Sequence, residues 1–145
     1  MNPQFLSPLR VEEVDDHSND GRGSWRLLTP LTYWSVVAWR RISAPTDFVT
    51  DFASVPRFPP IAFAMLGDIG HPAAVIHDYL YTVQPMTREV ADAVLREALI
   101  VCGVPSWKAQ LMWAGVRAAG ASHWVAPGQD QTGRVNAIIE FDRVR

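Results

Sequence analysis

Apolar and polar residues alternate in short runs through the first part of the chain, and prolines and glycines separate these runs. Residues 5–12 partly alternate, and the proline within them places this segment at the edge of a sheet. Residues 25–28 and 33–42 are rich in aromatic and β-branched side chains, which favour antiparallel strands. The polar tract 15–23 contains an Asn-Asp-Gly turn signal. The pattern therefore predicts a first half made of strands and turns.

The pattern becomes helical after residue 70. Pro72 suits the first turn of a helix, where its missing N–H costs nothing. Thr87 and Ser106 can each cap a further helix, and Gly103 and Gly120 can end these two helices. Three helices are thus predicted, over residues 73–81, 87–102 and 106–119, and residues 134–141 alternate enough to return to the sheet. We predict an α+β fold, in which about three helices pack on one side of a small antiparallel sheet.

Composition narrows the class of protein. The chain has 145 residues, which fits one domain over residues 1–145, and 13 basic against 15 acidic residues argue against binding of nucleic acid by massed phosphate contacts. Cys102 is the single cysteine, which excludes a disulfide framework and a cysteine-based zinc site. No signal peptide and no apolar run of the roughly 20 residues that span a bilayer is visible. We therefore expect a soluble protein made in the cytoplasm.

Two short segments carry candidate chemistry. Asp51 lies between apolar neighbours and begins a turn of small residues that ends in Pro-Arg. The adjacent pair His77 and Asp78 lies in an otherwise apolar helix. A buried imidazole needs a hydrogen-bonding partner, and Asp78 points about 100° away from His77 around the helix. We expect Asp78 to reach a neighbouring loop, of which the Asp51 turn is a candidate, and Asp92 on the next helix to be a candidate partner of His77.

Each of these residues also has a purely structural interpretation. His77 fits equally well a core histidine whose hydrogen bonds are satisfied, and Asp51 fits a residue that bonds its own turn. Asp92 lies four residues before Arg96, which is the spacing typical of a solvated helix face.

Tryptophans divide between core and surface. Trp107 and Trp113 are six residues apart, so they do not share one narrow stripe of a helix. We therefore predict that one of the two lies near the surface, where it can anchor a partner.

The two segments together resemble a known family. Thr-Asp-Phe-Ala-Ser-Val-Pro-Arg at residues 50–57, followed by His-Asp-Tyr-Leu-Tyr at residues 77–81, is similar to the DUF1353 proteins of tailed bacteriophages and prophages. The likeness extends from about Ile42 to Trp124, and it departs from the family at Asp47, where a glycine is usual. The resemblance implies a phage source, and family members tend to be encoded near tail and lysis genes. It implies no established activity.

A second resemblance concerns mechanism. The His-Asp-x-x-Tyr pattern at residues 77–81 is similar to the catalytic helix of phospholipases A2. It implies His77 as the general base, Asp78 as a Ca²⁺ ligand and Asp92 as the carboxylate that orients the histidine. It also implies that the turn at Asp51 stands where those enzymes have their calcium loop. The turn lacks that loop's glycines, the chain lacks the disulfides of those enzymes, and the interval from His77 to Asp92 is short.

Three functions follow from these observations. The first is a virion or tail-associated structural or assembly protein, whose partners are other phage structural proteins of the tail or tail tip. The alternative is a metal-assisted hydrolase of the phospholipase A2 type that acts on the host envelope, with Ca²⁺ held by Asp51 and Asp78 and with His77 and Asp92 as its catalytic pair. A regulator that acts by binding alone is the third.

Overall fold

The computed structural model describes residues 1–15, 23–50, 69–122 and 124. Within these residues, six short strands form two antiparallel sheets of three strands each, ordered β1-β4-β5 and β2-β3-β6. The strands are β1 Gln4–Phe5, β2 Val11–Asp15, β3 Ser24–Leu27, β4 Leu31–Ser35, β5 Arg40–Ala44 and β6 Val49–Thr50. The helices are α1 His71–Val83, α2 Arg88–Val101 and α3 Ser106–Ala119, and a 3₁₀ turn follows at Gly120–Ser122. The α+β class predicted from the sequence is confirmed.

The strands differ from the prediction in three places, one of which is β6 Val49–Thr50, a strand that the sequence pattern did not predict. The predicted strand 5–12 is two strands in different sheets. Where β1 ends, the Ser7 hydroxyl takes the place of backbone pairing with β4: it donates to the Pro30 carbonyl (2.9 Å) and accepts the Thr32 N–H (2.8 Å). The predicted strand 33–42 is the hairpin of β4 and β5, which a tight turn connects. Most of the predicted turn at 15–23 and all of the predicted strand 134–141 lie outside the described residues.

The helix predictions agree with the structure except at one cap. Pro72 lies in the first turn of α1, and the Thr87 hydroxyl accepts the Val90 N–H (3.4 Å) at the start of α2. Ser106 is the first residue of α3 rather than its cap, which is Pro105. No helix in the described ranges has the length and apolar run needed to cross a bilayer.

The core forms where the helices meet the β4–β5 hairpin. Helix α1 packs against β4, β5 and α2, and α2 packs in turn against α3. Apolar side chains from all of these elements are buried, including Leu31, Tyr33, Ile76, Leu80 and Leu95, which are fully excluded from solvent. Helix α2 is therefore the middle helix of the three.

Glu97 fixes α2 to the β4–β5 turn. One carboxylate oxygen accepts the hydroxyls of Tyr33 (3.0 Å) and Ser35 (2.8 Å). The other accepts the backbone N–H groups of Val36 (3.2 Å) and Val37 (3.0 Å). Four donors from β4 and the turn that follows it converge on a single side chain, so the rotation of α2 about its own axis is set relative to the sheet.

Candidate functional site

The structure brings together two of the four candidate residues. His77 and Asp92 face each other between α1 and α2, and His77 Nε2 lies 2.9 Å from Asp92 Oδ1. Both side chains are fully buried. Asp78, next to His77 in α1, faces away from this pair, and Asp51 lies outside the described residues.

Asp92 is the acceptor at the centre of a cluster from all three helices. Tyr81 of α1 donates its hydroxyl to Asp92 Oδ1 at 2.6 Å, and Arg117 of α3 donates Nη1 to Asp92 Oδ2 at 2.7 Å. Arg88, one turn before Asp92 in α2, has its Nη1 3.8 Å from Oδ2. We name the group of His77, Tyr81, Asp92 and Arg117 the Asp92 cluster.

The solvated-face interpretation of Asp92 is therefore wrong. The i,i+4 spacing suggested an exposed ion pair with Arg96, but Arg96 turns to α3 and donates to Gln110 Oε1 at 2.7 Å. A carboxylate with no exposed surface requires hydrogen bonds and a compensating charge, and Asp92 has both.

Two members of the cluster, Tyr81 and Arg117, were not predicted as site residues from the sequence. Tyr81 is four residues after His77 and so shares its face of α1, which is a signal present in the sequence. Arg117 is 25 residues after Asp92, and only the packing of α3 on α2 brings the two together.

Burial and hydrogen bonding set the charges of the pair. Burial lowers the pKa of His77 below 6.5, and this effect exceeds the opposing attraction of Asp92. Burial alone would raise the pKa of Asp92, but the hydrogen bonds from His77, Tyr81 and Arg117 outweigh it and lower that pKa. At neutral pH the pair is therefore a neutral imidazole and a carboxylate, with Arg117 as the counterion.

The remaining ring nitrogen of His77 distinguishes this pair from a fully satisfied core contact. A carboxylate accepts only, so we assign the imidazole proton to Nε2, which leaves a lone pair on Nδ1. Among the described residues, this fully buried Nδ1 has no hydrogen-bond partner. A neutral imidazole held by a carboxylate through one nitrogen can accept a proton at the other.

Asp78 contacts the end of strand β6, whereas the predicted contact with the turn at Asp51 falls outside the described residues. Thr50 donates its hydroxyl to Asp78 Oδ2, and Thr50 directly precedes Asp51 in the chain. In the described residues, no three metal-ligating side chains come together. Ca²⁺ requires six to eight oxygen ligands, so Asp78 and Thr50 alone do not make its site. Ca²⁺ binding by Asp51 and Asp78 stays a prediction.

Gly120 allows the Asp92 cluster to close. A Cβ atom at this position would lie 2.7 Å from the Tyr81 hydroxyl and 3.2 Å from Arg88 Nη1. On its other side, the Tyr81 ring packs edge-on against Trp124, with ring centroids 4.9 Å apart. Tyr81 thus depends on the end of α3 for the position of its hydroxyl.

The fold and the site together define a class of protein: an α+β domain with a buried His–Asp pair between two of its helices. A family model described as "Protein of unknown function (DUF1353)" matches residues 25–116, and the chain belongs to this family. The match begins earlier than the segment 42–124 that the resemblance suggested, and it also ends earlier. It includes His77, Asp78 and Asp92 and ends one residue before Arg117. Comparisons with curated proteins and with solved structures gave no match.

We expect Gly120→Ala to destabilise the protein by about 1–3 kcal/mol, because the new methyl group displaces the Tyr81 hydroxyl from Asp92. Urea unfolding measures the cost. In a Tyr81→Phe background the closest clashing atom is gone, so the same substitution should cost clearly less. An equal cost in both backgrounds contradicts the contact.

We expect the melting temperature to fall as the pH is lowered from 7.5 to 5.5. A folded-state pKa of His77 below 6.5 means that the unfolded chain takes up the proton first, so stability is full above pH 6.5 and is lost below it. One such group contributes up to about 1.4 kcal/mol per pH unit. His77→Gln should show a smaller pH slope than the wild type, whereas equal slopes in calorimetry contradict the assignment.

Proposed function

We propose that this chain is a hydrolase in which His77 is the general base and Asp92 orients it. The observation that carries the proposal is the asymmetry of the imidazole: Nε2 is held by Asp92, and Nδ1 has no partner in the described part of the chain. Tyr81 and Arg117 support this interpretation, because their hydrogen bonds keep Asp92 ionised as an acceptor.

The reaction proposed is attack of water on an ester. Nδ1 of His77 takes one proton from the water, whose oxygen forms a bond to the carbonyl carbon. The positive charge that develops on the imidazole is stabilised by Asp92, 2.9 Å from Nε2. When the tetrahedral intermediate collapses, the carbon–oxygen bond to the leaving group breaks and the same proton passes from Nδ1 to that oxygen. His77 thereby returns to its neutral form.

The substrate class proposed rests on the similarity of residues 77–81 to phospholipases A2. It is an ester-linked phospholipid of a bacterial envelope, which suits the phage source that the sequence suggests. We propose Ca²⁺ as the cofactor, with Asp78 and Asp51 as ligands. The Thr50–Asp78 contact supports this placement, because it sets the residue before Asp51 against the Asp78 carboxylate.

Because His77 is fully buried, the proposed reaction requires that water can reach Nδ1. Diethyl pyrocarbonate acylates neutral imidazole nitrogens, so modification followed by peptide mass spectrometry reports this access. His71, half-buried at the start of the same helix, is the internal reference.

We expect purified protein to release fatty acid from mixed phospholipid vesicles and to do so with Ca²⁺ but not with chelator. His77→Gln and Asp92→Asn should each lower turnover at least about 100-fold, because a general base contributes that much or more. His71→Gln is the matched control and should keep wild-type turnover. We also expect acylation of His77 to proceed in parallel with loss of activity.

Three results would contradict the hydrolase: no turnover by the folded wild type, equal turnover by His77→Gln, or a His77 that resists acylation while His71 reacts. Turnover that is unchanged by chelator would remove the Ca²⁺ part of the proposal and leave the general base.

A second candidate function is a virion or tail-associated assembly protein of a bacteriophage, and exposed apolar side chains favour it. Trp107 is 55% exposed and Leu111, one turn later in α3, is 59% exposed, which agrees with the prediction that one of the two tryptophans lies near the surface. Ile100 and Val101 at the end of α2 are also exposed. Exposed apolar side chains of this kind anchor partners, here other phage structural proteins.

If this second function is correct, the chain should be present in purified phage particles after its synthesis in the host cytoplasm. Mass spectrometry of the particles tests this, and a phage that carries Trp107→Ser with Leu111→Ser should contain at least tenfold less of the protein. Its absence from wild-type particles would eliminate the assembly role.

A further inference from the structure

We infer that Arg117 is a positioning residue of the same site, an inference that rests on the proposed general base. It fixes the Asp92 carboxylate so that Oδ1 is presented to His77. Arg117 Nη1 lies 2.7 Å from Asp92 Oδ2, and His77 and Tyr81 both bond to the other oxygen, Oδ1. Oδ2 therefore binds Arg117, and Oδ1 accepts the hydrogen bonds from His77 and Tyr81. Helix α3 is part of the site together with α1 and α2.

Arg117 is the short cationic contact of Asp92 within the described residues. Arg88 is farther from the carboxylate, at 3.8 Å, and its guanidinium also points at the last carbonyls of α3, with Nη1 3.4 Å from the Val116 oxygen. Tyr81 and neutral His77 bring no charge. Without Arg117, the fully buried carboxylate of Asp92 would keep hydrogen bonds to Oδ1 but lose its close counterion.

The geometry gives Arg117 control over the orientation of His77. An aspartate carboxylate rotates broadly about its last torsion, and the bonds from His77 and Tyr81 hold only Oδ1. The bond to Oδ2 restrains this rotation and keeps Oδ1 in line with Nε2. Loss of Arg117 also removes the close counterion, so buried Asp92 takes up a proton more readily and can donate it to Nε2. The imidazole proton then moves to Nδ1, and the lone pair is no longer confined to that nitrogen.

Arg117 is also within reach from outside the core. Its side chain is 26% exposed and lies 3.3 Å from Glu89, whose own side chain is 69% exposed. A buried pair is thus connected through one arginine to the surface between α2 and α3. The simpler alternative is that Arg117 only fastens α3 to α2, as Arg96 does through Gln110.

Nitrogen chemical shifts of the histidine ring separate these two roles. We would label histidine with ¹⁵N in the full chain and record, at one neutral pH, which nitrogen of His77 carries the proton. In the wild type and in the matched control Arg96→Gln, we expect the proton on Nε2. In Arg117→Gln we expect averaged shifts that report a mixture of both tautomers, and in Arg117→Lys we expect a return towards the wild-type spectrum.

A wild-type spectrum for folded Arg117→Gln would overturn the inference and leave Arg117 with only the structural role of joining α3 to α2. If that variant does not fold, Arg117→Gln is made in an Asp92→Asn background, where there is no ion to hold. Recovery of a folded protein in that background supports action through Asp92, and failure of the double variant to fold where Asp92→Asn alone folds refutes it. Neither measurement uses turnover, so failure of the hydrolase and failure of this inference are distinguishable.

Discussion

The buried carboxylate of Asp92 is the constraint on which the rest of the structure depends. A charge with no exposed surface is stable only where donors and a counterion surround it. Here the donors come from α1 and α3 and the acceptor from α2, so the helices pack correctly only if His77, Tyr81 and Arg117 all reach one side chain. Gly120 is part of the same requirement, because a larger residue there would move Tyr81. The packing of the three helices and the ionisation of Asp92 therefore depend on each other.

The hydrogen bonds that stabilise Asp92 also prepare His77 for the chemistry we propose. The donors around Asp92 keep it an ionised acceptor. Burial keeps His77 neutral, and its bond to Asp92 leaves the lone pair on the opposite side of the ring. A stabilising cluster and a general base need the same bonds, which is why burial alone does not separate a structural from a catalytic histidine. The feature that favours catalysis is the partnerless Nδ1 among the described residues, since a purely structural histidine in a dry core normally has both nitrogens bonded.

Local features of the sequence predicted local structure well. The Thr87 cap and Pro72 mark the starts of α2 and α1 because these signals act within one turn of a helix. Serine at position 7 ended a strand through bonds to residues more than 20 positions away, and the sequence pattern did not reveal this. Asp92 was ambiguous for a related reason: its spacing to Arg96 is the same on a solvated face and on a buried one. The need of a buried imidazole for a partner made Asp92 a candidate for His77, and the resemblance to phospholipases A2 implied the same pair. Arg117 required knowledge of how α3 packs.

Neutron diffraction from a deuterium-exchanged crystal at neutral pH observes the protons of the Asp92 cluster directly. We expect a deuteron on His77 Nε2, one on the Tyr81 hydroxyl directed at Asp92 Oδ1, and none on Asp92 or on His77 Nδ1. A deuteron on the Asp92 carboxylate, or on His77 Nδ1 in place of Nε2, would contradict it.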